Sequence, residues 1–327
     1  MRTRRLKVEG VGAVYHCISR IVGGEFLLEG EREKEVLRNQ IWKVADFCGV
    51  EVLTYCIMSN HLHVLVRTPD QWTLRRIPNN ELVRRAKRIY SKEKAGNFEL
   101  ALTHPENEVR ELARSQLLSR MGDVSQYMKE LKQRFSIWYN KSHDRFGTLW
   151  AERFKSVLIE DEPMALSTVA AYIELNPVRA GIVDDPSLYR FCGYAEAMGG
   201  FTPARKGISS LFGKKEQWAM ASSWYRVAIF GKGQSLDASR PRTAVNAEKA
   251  AQVMSEGGKI SSEEALRCRI RYFSDGVILG SKEFVQQHFE RHRQLFGIKR
   301  RDGPRRLRGS PWSSLRCARG LRKNAFG

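Results

Sequence analysis

The stretch CIMSNHLHVLV, Cys56 to Val66, constrains the fold of this chain more than any other. Cys, Ile and Met precede Ser59-Asn60, and Leu62, Val64, Leu65 and Val66 follow. That pattern is strand, tight turn, strand, which predicts a β-hairpin buried in a sheet. Two histidines, His61 and His63, stand in the apolar run. Residues i and i+2 of a strand point to one face, about 6.6 Å apart along it. Both imidazoles therefore face one side of the sheet, while Leu62 and Val64 face the other. Burying such a pair costs desolvation unless something uses it. The two rings can converge on one metal ion; the alternative is a pair of hydrogen-bonded core histidines.

No third histidine or cysteine follows at a close, regular spacing, which disfavours a structural zinc site with four N or S ligands. A two-histidine site completed by an amide or carboxylate oxygen, with substrate filling the rest, suits Mg²⁺ or Mn²⁺ at a phosphate. The charge points the same way. Lys and Arg number 56 against 36 Asp and Glu, a formal net charge of +20. Such an excess marks a polyanion binder, and nucleic acid is the commonest polyanion. The six cysteines are scattered, none in a C-x-x-C pair. They read as reduced thiols rather than a disulfide frame. No apolar run approaches the roughly 20 residues needed to span a bilayer, so no membrane is expected. The basic start MRTRRLKVEG has no apolar signal core behind it. The expected location is cytoplasmic, at the nucleoid.

Around the hairpin the sequence predicts alternating elements. GAVYHCISRI (Gly12 to Ile21) is a strand. EREKEVLRNQIWKVADFCGV has helical apolar spacing and is closed by Gly49. EVLTYCIM is the first hairpin strand. The region from Gln71 to Arg120 is charged and helical in flavour. DVSQYMKELKQRFSIWYNKSH is a long helix, and GTLWAERFKSVLI (Gly147 to Ile159) is extended. EDEPMALSTVAAYIELNPV is another helix, with Pro163 in its first turn and Pro177 as its stop. The order predicts an α+β fold, one antiparallel sheet with packed helices. The core ends near residue 200, so 1–200 is the expected catalytic domain. Residues 201–245 read as a connecting segment and 246–327 as a basic helical module. In that module DGVILGSKEFVQQHF resembles the end of a helix-turn-helix unit, with a plain helical extension as the alternative. The tail from Lys299 holds ten Lys or Arg against one acid, Asp302.

Tyr172 and Asn176 in AAYIELNPV are i and i+4 and share a helix face. Taken alone, Tyr172 reads as a half-buried aromatic and Asn176 as a helix-terminal residue. Three stretches together, SNHLHVLV, GTLWAERFKS and YIELNPVRAGIV, resemble the single-tyrosine HUH transposases. They are most similar to the domesticated branch, the REP-associated tyrosine transposases. The resemblance runs from about Ala13 to Ala197. It implies a ferredoxin-like fold with the histidine pair on a central strand and the tyrosine on a helix beside it. It implies His61 and His63 as metal ligands, Asn176 as a third, and Tyr172 as nucleophile. The implied activity is metal-dependent cleavage and transfer of single-stranded, hairpin-forming repeat DNA through a 5′-phosphotyrosine link. A phenol needs a nearby cation to favour its anion at neutral pH, and the metal is the obvious one.

Arg153, Lys155, Arg179, Arg300, Arg301, Arg305 and Arg306 are the candidate DNA contacts. Tyr139 is the rival nucleophile. His288 and His292 in HFERH are read as solvated or DNA-facing, because no Glu follows the first histidine as in a zinc protease. His16 is read as structural, with a place behind the metal site as the alternative. A DNA-binding regulator without catalysis is the competing function. A water-using two-histidine phosphodiesterase is disfavoured by the single H-x-H. Relatives act as monomers or homodimers, and both states stay open.

Overall fold

The computed structural model describes residues 6–213, 217–230, 266, 270–308, 312 and 314–319. Residues 246–265, the start of the expected C-terminal module, lie outside them. The core begins with strand β1 (Ala13–Arg20), helix α1 (Glu31–Cys48) and the hairpin β2 (Glu51–Ile57) and β3 (His61–Thr68). Helices α2 (Gln71–Arg75), α3 (Asn79–Ile89), α4 (Lys92–Leu102) and α5 (Asn107–Leu118) follow. Then come α6 (Val124–Ser142), β4 (Lys155–Ile159), α7 (Pro163–Glu174) and α8 (Asn176–Arg179). The sheet order over these strands is β2-β3-β1-β4, every neighbour antiparallel. Strand β3 slots between β1 and β2, and β1 between β3 and β4. This is the split βαβ arrangement of a ferredoxin-like fold, so the architecture is α+β as expected.

Local chemistry explains the elements. Glu31 and Glu33 sit in the first turn of α1, where the helix dipole favours acids. Gly49 ends the helix at φ 66°, a left-handed position that glycine takes without a Cβ clash. Leu37, Ile41, Val44 and Cys48 form its buried stripe. The strands do not alternate apolar with polar, because helices cover both faces of the sheet. Helices α1 and α6 pack together on one face, the side of Leu62 and Val64. Helix α7 covers the other face and packs on β2 and β3. Arg67, at the end of β3, locks this layer. It binds Asp161 through two nitrogens at 2.6 and 2.8 Å, Glu51 at 2.6 Å and the Ser210 hydroxyl at 2.8 Å.

The region 71–120 folds as a helical insert between β3 and α6. Helix α3 docks on α1, where Arg84 and Arg88 both pair with Asp46. Beyond the core, α9 (Gly193–Met198), α10 (Thr202–Ser209) and α11 (Trp218–Phe230) extend the α7 layer. Gly207 allows α10 to approach β2 closely, since a Cβ there would lie 2.3 Å from the Val52 carbonyl oxygen.

The described C-terminal residues contain both helices and strands. These are α12 (Arg271–Asp275), β5 (Ile278–Gly280), α13 (Lys282–Arg291), β6 (Arg305–Arg306) and β7 (Arg316–Cys317). β5 pairs parallel with β4, and β7 and β6 follow, so the sheet grows to seven strands. The element before Ser281 is therefore a strand and not the turn of a helix-turn-helix. Its backbone bonds go to β4 instead of closing a turn. Ser281 does cap α13, accepting from the Phe284 amide at 3.1 Å. The five described cysteines are buried and none is in a disulfide, and Cys268 lies outside the described residues.

Candidate active site

Cross-strand register decides which side chains share a face. His61 lies opposite Arg20 and His63 opposite Ile18 across β3 and β1. Ile18 in turn lies opposite Lys155 across β1 and β4. Directly opposed residues point the same way. His61, His63, His16, Arg20 and Lys155 therefore belong to one face, the one that α7 covers. The ring centroids of His61 and His63 are 5.0 Å apart. Tyr172, on the last turn of α7, lies 6.3 Å from His63 and 6.4 Å from His16.

The hydrogen bonds of these histidines assign their protons. The Nδ1–H of His61 donates to Asn60 Oδ1 at 2.7 Å. The Asn60 amide nitrogen itself donates to the Gly24 carbonyl at 3.3 Å, which turns its oxygen toward the ring. In the neutral ring the lone pair of His61 is then on Nε2. His63 Nδ1 lies 2.8 Å from His16 Nε2, and His16 Nδ1 lies 2.8 Å from the Phe273 carbonyl oxygen. Burial pushes the His16 imidazole down to about 4, with the Arg179 charge acting in the same direction. Burial, then the neighbouring His16 and His61, holds His63 well below the ordinary imidazole range. His16 and His63 are therefore neutral near pH 7.

Tyr172 is 3 % exposed. The Phe273 ring from α12 packs against it at 4.9 Å, and the Arg179 guanidinium sits 4.2 Å over its face. Arg179 also donates to the carbonyls of Tyr172 at 2.7 Å and Leu266 at 2.8 Å. Its guanidinium thus joins α8 to the tyrosine and to Leu266. Asn176 stands one turn beyond Tyr172, 9 % exposed, at the start of α8. Pro177 opens this short turn as well as ending α7. The Asn176 amide nitrogen donates to the Ile173 carbonyl at 2.9 Å, which leaves Oδ1 as its acceptor. Among the described residues no three His, Cys, Asp or Glu side chains group to hold a metal ion. An ion at the histidine pair would need oxygen donors besides.

The other expected contacts divide. Arg153, Lys155 and Arg300 line one cavity of about 370 Å³, together with Phe154, Phe296 and Arg319. Lys155 is paired there with Asp275 at 3.2 Å. Arg300 stacks on Phe289 and Phe296, each at 5.1 Å. Arg301 is exposed outside that lining, and Arg305 and Arg306 form β6. The rival Tyr139 is held in an aromatic stack on α6, with His143 at 4.2 Å. His288 differs from the expectation of a solvated ring. It is 8 % exposed, because it packs on Phe284 at 4.5 Å. Sequence reasoning missed Arg20 and Phe273. Arg20 was detectable from its even spacing with His16 along β1; Phe273 carries no sequence signal.

The sheet thus groups two imidazoles and a tyrosine on one face that also carries Arg20 and Lys155. Residues 11–100 match the family model described as "Transposase IS200 like". That stretch holds β1, the hairpin and the histidine pair, and it is similar to the IS200-like transposases. The match ends before Tyr172 and Asn176. One solved structure, described as "Structure of the REP associates tyrosine transposase bound to a REP hairpin", is similar at 16% identity. The similarity covers 61% of this chain and 86% of that one, with a TM-score of 0.39. The search of curated proteins gives no match. Among the described residues no helix is long and apolar enough to cross a membrane.

Proposed function

We propose that this protein is a single-tyrosine DNA endonuclease and strand transferase acting on single-stranded, hairpin-forming repeat DNA. The observation that carries the reading is the grouping of Tyr172, His63 and His61 on one sheet face, inside a chain whose residues 11–100 are similar to the IS200-like transposases. His61, His63 and the Asn176 oxygen are the residues that would hold a divalent cation, Mg²⁺ or Mn²⁺. The His61 tautomer supports this, since its Nδ1–H is held on Asn60 and its lone pair is on Nε2. Such an ion supplies Lewis acidity at a phosphate oxygen.

In this reading the Tyr172 oxygen attacks phosphorus in line. A Tyr–O–P bond forms, the bond from phosphorus to the 3′ oxygen breaks, and the phenolic proton ends on that oxygen through solvent. The products are a 5′-phosphotyrosine and a free 3′-OH. A second 3′-OH can reverse the step without ATP, because the phosphodiester is conserved. Arg20 and Lys155 flank the histidine pair on the same face and would hold the DNA backbone. Arg153, Arg300 and Arg319 extend that positive surface, and Arg179, Arg301, Arg305 and Arg306 add charge around it. Phe273 and Arg179 cover the phenol and limit water at it.

A second reading, a DNA-binding regulator without cleavage, is favoured by one observation, the 3 % exposure of Tyr172. A denaturing gel separates the two. Labelled single-stranded hairpins are mixed with the protein, with Mg²⁺ or Mn²⁺ and with EDTA. A metal-dependent covalent adduct that vanishes in Tyr172→Phe supports the transferase. Tight binding with no adduct on a broad hairpin set supports the regulator.

A further inference from the structure

His16 touches no solvent and is bonded at both ring nitrogens. The partner of Nδ1 is the Phe273 main-chain carbonyl, which can only accept. Nδ1 therefore carries the proton. No carboxylate contacts the ring among the described residues, and a second proton would leave an unpaired charge in a fully buried ring. The ring is neutral and Nε2 holds its lone pair. That lone pair faces His63 Nδ1 at 2.8 Å, so His63 must donate there. Only one tautomer of His63 satisfies this, Nδ1–H with the lone pair on Nε2. The alternative tautomer would put two lone pairs against each other inside a buried site, at the cost of an unmade bond.

We propose that His16 is a positioning residue that sets the tautomer and orientation of His63, so that His63 Nε2 is kept as a ligand nitrogen. The relay begins outside the transposase-like stretch, at Phe273 on α12. The segment that covers Tyr172 thus also fixes the imidazole beside it. The inference rests on the reading above in taking His63 as a ligand, but the tautomer itself does not depend on that. Partners behind a metal-bound histidine are worth about 10- to 100-fold in metal affinity.

The test uses the full chain, metal-free and ¹⁵N-labelled. Long-range ¹H–¹⁵N correlation of the histidine rings, assigned with His16 and His63 variants, reads the tautomer directly. Mn²⁺ titration followed by electron paramagnetic resonance reads affinity. The wild type should show His63 as Nδ1–H. His16→Phe fills the same space without an acceptor. It should lose that single tautomer and bind Mn²⁺ 10- to 100-fold more weakly. His16→Gln places an amide oxygen near the position of Nε2 and should restore most of both. An Nε2–H tautomer of His63 in the wild type overturns the proposal, and this result needs no variant to fold. So does a folded His16→Phe with unchanged tautomer and unchanged Mn²⁺ affinity. A wild type that binds no Mn²⁺ but keeps the Nδ1–H tautomer defeats the metal reading and leaves the relay standing.

Discussion

Glu174 lies between the tyrosine and the asparagine in sequence, yet it points into the core and is fully buried. Its Oε1 accepts from the Tyr194 amide at 2.8 Å and from the Thr54 hydroxyl, while Oε2 has no hydrogen-bond partner. Burial pushes the carboxyl up from 4.5 to about 7, against the lowering effect of its hydrogen-bond donors. The folded state therefore holds a proton that the unfolded chain releases near pH 4.5. A raised folded value means stability that is complete below the unfolded pKa and is lost as pH rises through the folded one. Between pH 5 and pH 8 this one group should remove about 2.5 kcal/mol of stability, by linkage over that interval. Glu174→Gln cannot titrate and should lack this decline. Urea unfolding of both proteins at pH 5, 6, 7 and 8 gives the comparison. The difference curve should rise in favour of the glutamine variant by about 2.5 kcal/mol across the series. Parallel curves, offset by a constant, would refute the buried neutral carboxyl.

Three further outcomes follow from the same geometry. Removing Arg20 or Lys155 should lower the slope of log affinity against log salt for single-stranded DNA by about 0.7 each; an unchanged slope would take that residue off the DNA path. Phe273→Ala removes a fully buried ring that packs on Tyr172 and Trp312. It should destabilise the fold by about 3–5 kcal/mol in urea unfolding, and a loss under 1 kcal/mol would contradict the tight packing. Arg67→Ala leaves Glu51 and Asp161 without their shared cation. It should cost about 1–3 kcal/mol by thermal unfolding, since both carboxylates keep part of their solvent contact, with near-neutral behaviour as the refuting result.

The hairpin, the paired faces of β3 and the long helices were legible because apolar period and turn residues encode them locally. Ser59-Asn60, Gly49 and Pro163 each mark a real boundary. The grouping of Tyr172 with His63 was reached only through resemblance, since helix-to-sheet packing leaves no local period. A place for His16 behind the histidine pair was legible as an alternative, but its bond to Phe273 was not, because the two meet 257 positions apart in the chain. Strands β5, β6 and β7 hold two or three residues each and are defined by the edge of β4, not by their own composition. His288 was misread because a charged helix surface hides the one face that packs on Phe284.

The central claim is that Tyr172 joins covalently to DNA. The most direct measurement is peptide mapping by mass spectrometry of protein incubated with a hairpin oligonucleotide and Mn²⁺, then digested with nuclease and protease. The account predicts a nucleotide remnant on the peptide carrying Tyr172, attached through a 5′ phosphate and absent with EDTA. A remnant on Tyr139 or on any other residue, or an unmodified Tyr172 in a sample whose hairpin has been cut, would contradict it.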